Sequence, residues 1–257
     1  MNPLDPDRIN NRRRDHGNRG MNPRLAAKGT ALAMCTALAM LGATWSMADT
    51  YSVTGDVNDA LVNHQDPEDG GGFYVGDGTQ PTLVAGRFQD IMDRTPVFPF
   101  DLPALRGGTI TSATLTLVLR HYLAATHNGD LYGLTRTNSS SAVLTNDFFE
   151  GALDGANTRL ADNFVTPSGT VYWVEEPHSN SGPGLINWLN AQYAAFGGGH
   201  DFNDNDDFIF FRVSPDTTAM PDSVAYDFEA ADTGTAAYRP LLTLDVKRAI
   251  GTIIVIR

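Results

Sequence analysis

The chain carries one cysteine, Cys35, and it falls inside an N-terminal apolar stretch. No internal disulfide is available, so the fold must be held by its core or by bound ions. Basic residues are scarce, with 18 Lys and Arg against 30 Asp and Glu. Such a field repels nucleic-acid phosphates and anionic membranes and favours cations. No apolar run reaches the roughly 20 residues that a membrane-spanning helix needs. The six histidines show no metal-ligand spacing of the His-x-x-x-His kind. A Gly-x-Ser-x-Gly elbow, a phosphate loop and a dinucleotide fingerprint are all missing. No internal repeat or linker divides the chain. These absences leave no residue constellation that identifies a reaction.

What is present begins with compartment. Met21–Ala48 has the layout of a secretory signal: Arg24 and Lys28, then the apolar run Ala31–Leu41, then small residues at Ser46 and Ala48. Ahead of it, residues 1–20 are polar, carry Arg12-Arg13-Arg14 and precede a second Met-Asn-Pro at Met21. They read as a long n-region or, preferably, as an upstream start. Without residues 1–48 the chain has 11 basic and 27 acidic residues, a net charge of −16. The expected organisation is an extension over 1–20, a signal peptide over 21–48, one domain over 49–246 and a tail over 247–257. That tail ends in Ile-Ile-Val-Ile-Arg, either an edge strand or the remnant of a sorting segment. A secreted or cell-surface location follows.

The domain is written in β grammar. Along Thr109–His121, Ala113, Leu115, Leu117 and Leu119 alternate with Thr114, Thr116, Val118 and Arg120, the period of two of a sheet with one face on a core. Further strands are expected at Thr50–Val53, Thr82–Phe88, Val97–Phe100, Asp130–Arg136, Thr170–Val174, Phe208–Val213, Val224–Phe228 and Leu241–Val246. Gly/Asp/Asn/Pro clusters such as Asp66–Gly72 punctuate them. One segment departs from this period. Leu185, Trp188, Leu189, Tyr193 and Phe196 are spaced by three and four, and Gly197-Gly198-Gly199 follows, which predicts a helix with Trp188 as a core anchor. The fold class expected is all-β, an antiparallel, jelly-roll-like β-sandwich with one short helix.

Several segments carry a family resemblance. They are Asp49-Thr50-Tyr51, Phe100–Leu105 with Ile110–Leu115, the helix ending at Gly197, Tyr226–Asp232 and Arg239–Leu244. Together they resemble the DNRLRE-type exported β-sandwich domains, some of which are grouped as carbohydrate-binding modules. The resemblance implies a jelly-roll-like sandwich, extracellular use and polysaccharide as a partner.

Two candidate sites stand out. In Asp201–Asp207 the oxygens of Asp201, Asn203, Asn205 and Asp207 alternate, a pattern suited to calcium, which takes six to eight oxygens. The spacing opens like an EF-hand loop and then departs from it, with Asp206 at the glycine position and Arg212 at that of the bidentate Glu. A calcium loop completed from elsewhere and a solvated acidic loop both remain open. Asp66-Pro-Glu-Asp69 is a weaker acidic loop of the same kind. For sugar, flat aromatic faces and polar partners are needed. Tyr172 and Trp173 fall on opposite faces of a strand, and Glu175, Glu176 and His178 follow in what reads as the adjoining loop. Trp173 or Tyr172 would be the platform, with Glu175 or His178 as its polar partner; the alternative is one core and one surface aromatic.

Paired carboxylates raise the enzyme question, but Glu175 and Glu176 would diverge on a strand, and His121-Tyr122 is the sole lyase-like pair. The sequence therefore points to a non-catalytic, polysaccharide-binding module stabilised by calcium. Two alternatives stay open: a cell-surface or matrix protein that self-associates, and a polysaccharide lyase or hydrolase.

Overall fold

The structure is a computed structural model that describes residues 46–65, 71–88, 92–123, 126–136, 140–149, 154–167, 172–195, 207–216 and 225–249. These belong to one unit, Gly42–Arg257. In chain order the strands are β1 (Ser46–Thr54), β2 (Ala60–Gln65), β3 (Phe73–Val75), β4 (Thr82–Phe88), β5 (Met92–Asp101), β6 (Thr109–Leu123), β7 (Gly129–Gly133), β8 (Thr158–Val165) and β9 (Tyr172–Asn180). The helix α1 (Pro183–Ala195) follows, then β10 (Phe208–Pro215), β11 (Ala225–Glu229) and β12 (Leu241–Ala249). Every strand pairing is antiparallel. The sheet order is β1-β12-β6-β11-β4-β5-β10-β7-β8, with β2 added to β5, β3 to β2 and β9 to β6.

The alternation in β6 does what its period requires: Ala113, Leu115, Leu117 and Leu119 are all buried in the main core. Phe98 and Phe100 of β5, Ile209 and Phe211 of β10, and Leu242 and Leu244 of β12 reach the same core. The sheet thus curls over this core as an antiparallel β-sandwich. A second apolar cluster lies on the opposite face of β2, β5 and β10 and comprises Ala60, Val62, Val97, Leu134, Val143, Phe208 and Phe210. Because β10 has a core on each face, all of its positions are buried. That explains its unbroken apolar opening, Phe208–Phe211, where an ordinary half-buried strand would alternate.

The boundaries differ from expectation in instructive ways. β1 begins at Ser46, which stands opposite Ala249 in β12. The ordered pairing therefore extends past both Asp49 and Val246. β2, β3 and β8 are additions, since none has a clean alternation long enough to register. β9 runs on through Glu175, Glu176 and His178 to Asn180, where a loop is expected. Pro177 sits within it opposite Val118. A proline is accepted there because, among the described residues, β9 pairs with β6 alone.

The helix is where its spacing places it. Pro183 occupies the first turn, where its missing N–H costs nothing. Leu185, Trp188, Leu189 and Tyr193 form the buried face. Asn190 fastens α1 to the start of β6, accepting from the Ile110 amide at 3.1 Å and donating to the Ile110 carbonyl at 3.0 Å. Tyr193 donates to the Pro103 carbonyl at 2.8 Å. Phe196 and Gly197–Gly199 lie outside the described residues.

Candidate functional site

The calcium candidates divide at the start of β10. Asp201, Asn203 and Asn205 lie outside the described residues, as does Asp66–Asp69. Asp207 is described, is half-buried, and accepts the Leu102 amide on its backbone carbonyl at 3.1 Å.

A different carboxylate group is assembled by the tertiary structure. Oxygens of Asp130 in β7, Asp162 in β8 and Asp216 just after β10 lie within 4.8 Å of one another. Burial raises the Asp130 carboxyl above its ordinary range, while the Asn163 amide and Arg159 pull it back. Both oxygens of Asp130 are engaged, one by the Asn163 N–H at 2.8 Å and the other by Arg159 Nη1 at 3.3 Å. Arg159 also reaches Asp162 at 3.0 Å. The guanidinium already supplies the positive charge, so this group is a poor fit for calcium, which would have to displace it.

The sugar candidates are separated by the register of β9. Leu117 of the core stands opposite His178, whereas His121 stands opposite Trp173. Trp173 and His178 therefore lie on opposite faces and do not converge. His178 faces inward with its ring 6.0 Å from that of Phe164. Burial holds its imidazole below the ordinary value, against the opposing charge of Glu176. The backbone of Tyr172 pairs with Tyr122, whose own ring lies in the core against Tyr226. His121 and Tyr122 therefore diverge, which removes the lyase-like pair.

Around Trp173 the outer face of the sheet forms a coherent site. Trp173, His121, Asp227 and Val84 stand in one row across β9, β6, β11 and β4. Trp173 is 62% exposed, the most exposed of the large hydrophobic side chains among the described residues. Its indole lies flat on His121, with ring centres 4.4 Å apart and planes 8° from parallel. Against β11, the adjacent Asp227 and Phe228 stand opposite His121 and Leu119, so Arg120 is the extra residue of a bulge on β6, and this bulge re-aims it, as bulges do. Its guanidinium carbon lies 4.7 Å from the Trp173 ring centre and its Nε 3.7 Å from Glu229. Burial and then Arg120 depress the His121 imidazole. Glu175, at positive φ of 50°, accepts the Tyr238 hydroxyl at 2.7 Å.

Asp227 lies at the centre of this row. It is buried, and its Oδ1 has no hydrogen-bond partner among the described residues. Burial, with Glu229 adding repulsion, pushes its carboxyl up to about 6, against Thr82, Arg120 and Arg94. Trp173 and Glu175 were legible in sequence. Asp227, Glu229 and Arg120 were not, because only strand register brings them onto the face that carries Trp173.

No protein-family model matches the chain, and no curated protein matches it. A solved structure of infectious bursal disease virus, Gt strain, is similar at 13% identity over 88% of this chain, with a TM-score of 0.22. This chain spans 41% of that chain's length. A likeness that slight carries no argument about function. The class that the fold itself defines is an antiparallel β-sandwich with one helix and a mixed aromatic and charged outer face.

Proposed function

We propose that this chain is an exported, non-catalytic module that binds polysaccharide across the outer face carrying Trp173. The observation that supports it most is an exposed indole held flat on His121, with the Arg120 guanidinium against its ring and Glu229 beside that guanidinium. Sugar rings stack their CH faces on such a platform, and their hydroxyls need donors and acceptors at its rim. Trp173→Ala in the full chain is expected to weaken binding by about 2 kcal/mol, or about thirtyfold in Kd. Calorimetric titration with neutral, acidic and amino polysaccharides reads this directly. The thermal midpoint should stay within a few degrees of the parent, because Trp173 supports no core. Equal affinity of parent and variant for every glycan bound would move the site away from Trp173, and no binding by the parent would remove the reading. Calcium enters through Asp201–Asp207. A midpoint that rises with calcium and falls with chelator supports that part of the proposal.

One observation favours hydrolysis as a second reading. Asp227 is pushed up to about 6 beside Glu229, and glycoside hydrolysis uses a raised acid with an ionised partner. Release of reducing ends from a bound glycan, lost in Asp227→Asn, distinguishes an enzyme from a binding module.

A further inference from the structure

Asp59 follows the β1–β2 turn and is wholly buried. Its Oδ2 accepts the backbone N–H of Ala231 at 2.7 Å, joining residues 172 positions apart. Its Oδ1, also buried, has no hydrogen-bond partner among the described residues. The charges that bear on it are Asp232, beside Ala231, and Asp56, in its own turn. Both are negative, so an ionised Asp59 would be desolvated and repelled at once. A shared cation is not the better account, since Asp56 and Asp232 do not form a close ligand group with Asp59 among the described residues.

The surrounding backbone shows what this carboxyl holds together. Gly55 donates to the Pro240 carbonyl at 2.8 Å, Asp56 to Pro99 at 2.9 Å, and Ala230 to Pro81 at 3.0 Å. The β1–β2 turn and the segment after β11 are thus drawn onto one end of the sandwich. The sequence neighbours of Asp59, Asn58 and Ala60, line an open cavity of about 370 Å³ with Gly76, Ser141 and Val143. Asn58 donates to Ser141 across it at 2.7 Å.

We propose that Asp59 is a proton-dependent clasp: its neutral carboxyl holds the 55–59 turn against the 230–232 segment, and loss of the proton loosens one from the other and from the adjoining cavity wall. Burial first, then Asp232 and Asp56, raise its carboxyl from 3.8 to about 7, against the Ala231 N–H. A folded-state value raised in this way favours the fold fully below pH 3.8. The advantage declines as pH rises and is gone above about 7. About three pH units correspond to roughly a thousandfold change in the folding equilibrium.

The experiment follows the full chain in EDTA from pH 4 to 8.5. The carboxyl carbon of Asp59 is titrated by NMR, Ala231 amide exchange is measured, and unfolding is compared with Asp59→Asn, whose amide is neutral at every pH. The expected results are a titration near 7, Ala231 exchange accelerating above that pH beyond ordinary base catalysis, and a much flatter stability profile in the variant. A titration near 4, Ala231 exchange that tracks the β12 amides, or an equally steep variant profile would overturn the clasp. So would calcium restoring the parent at pH 8 but not the variant, which would make Asp59 a cation ligand. If Asp59→Asn does not fold, titration and exchange in the parent decide the matter alone.

Discussion

Arg212→Met is expected to destabilise the fold by about 3–5 kcal/mol, read as a lowered urea midpoint at unchanged m-value. Arg212 is 1% exposed, so its buried charge is tolerated only because partners surround it. Nε donates to Ser214 at 2.8 Å, Nη1 to the Asp147 carbonyl at 3.0 Å, and Nη2 to Asp154. The rings of Tyr132 and Phe149 lie 5.1 and 5.2 Å from its guanidinium carbon. One side chain on β10 therefore anchors both the 140–149 and the 154–157 segments over the second apolar cluster. Removing it leaves Asp154 buried and uncompensated, which costs more than the pair itself contributes. Burial alone would raise Asp154, but Asn157, Arg212 and the Ala156 amide together depress its carboxyl. Arg212→Met combined with Asp154→Leu should recover part of the loss. The recovery is incomplete because Asp154 also accepts from Ala156 at 3.0 Å and Asn157 at 2.7 Å. A double variant no better than Arg212→Met would show that the buried charge is not the cause.

Trp188→Ala should cost a further class of stability, about 3–5 kcal/mol, by emptying the space between α1 and the sheet. Its ring packs 5.2 Å from that of Phe211 and rests on Gly133 of β7. A Cβ added at Gly133 would lie 2.4 Å from Trp188 Cε2, closer than carbon atoms pack. Glycine is required there by that close approach, and Gly133→Ala alone should cost about 1–3 kcal/mol through overpacking. The two changes share one space, so their effects should not add. The double variant is expected to fall short of the summed losses by about 0.5–3 kcal/mol in urea unfolding. Additive losses would place the cost of Gly133→Ala in the strand backbone instead of the Trp188 contact.

Much of the sandwich was legible because its signals are local. The two-residue alternation of Ala113, Leu115, Leu117 and Leu119 needs no partner strand to be recognised. The same holds for the three-and-four spacing that puts Leu185, Trp188, Leu189 and Tyr193 on one face of α1. Both follow from where successive Cβ atoms point. β2, β3 and β8 escaped notice for the converse reason. β2 is buried on both faces over Ala60–Val62, β3 has only three residues, and β8 has no continuous apolar face.

The candidate site was legible only in part. Trp173 and Glu175 were visible as residue types, but sequence proximity grouped them with His178, which the register of β9 turns to the other face. Asp227, Glu229 and Arg120 were hidden for the same reason: a carboxylate gains meaning from its neighbours across strands, and those are far away in sequence. The sequence by itself determined the strand grammar, the helix face, the acidic charge and the absence of disulfides, all set by composition or by short-range geometry. Only the tertiary structure decided the second cluster on β10, the Arg212 anchor, the carboxylate group at Asp130, the outer face around Trp173 and the burial of Asp59. Each depends on antiparallel register and on which groups lose water, and burial is a property of the curled sheet that no short segment carries.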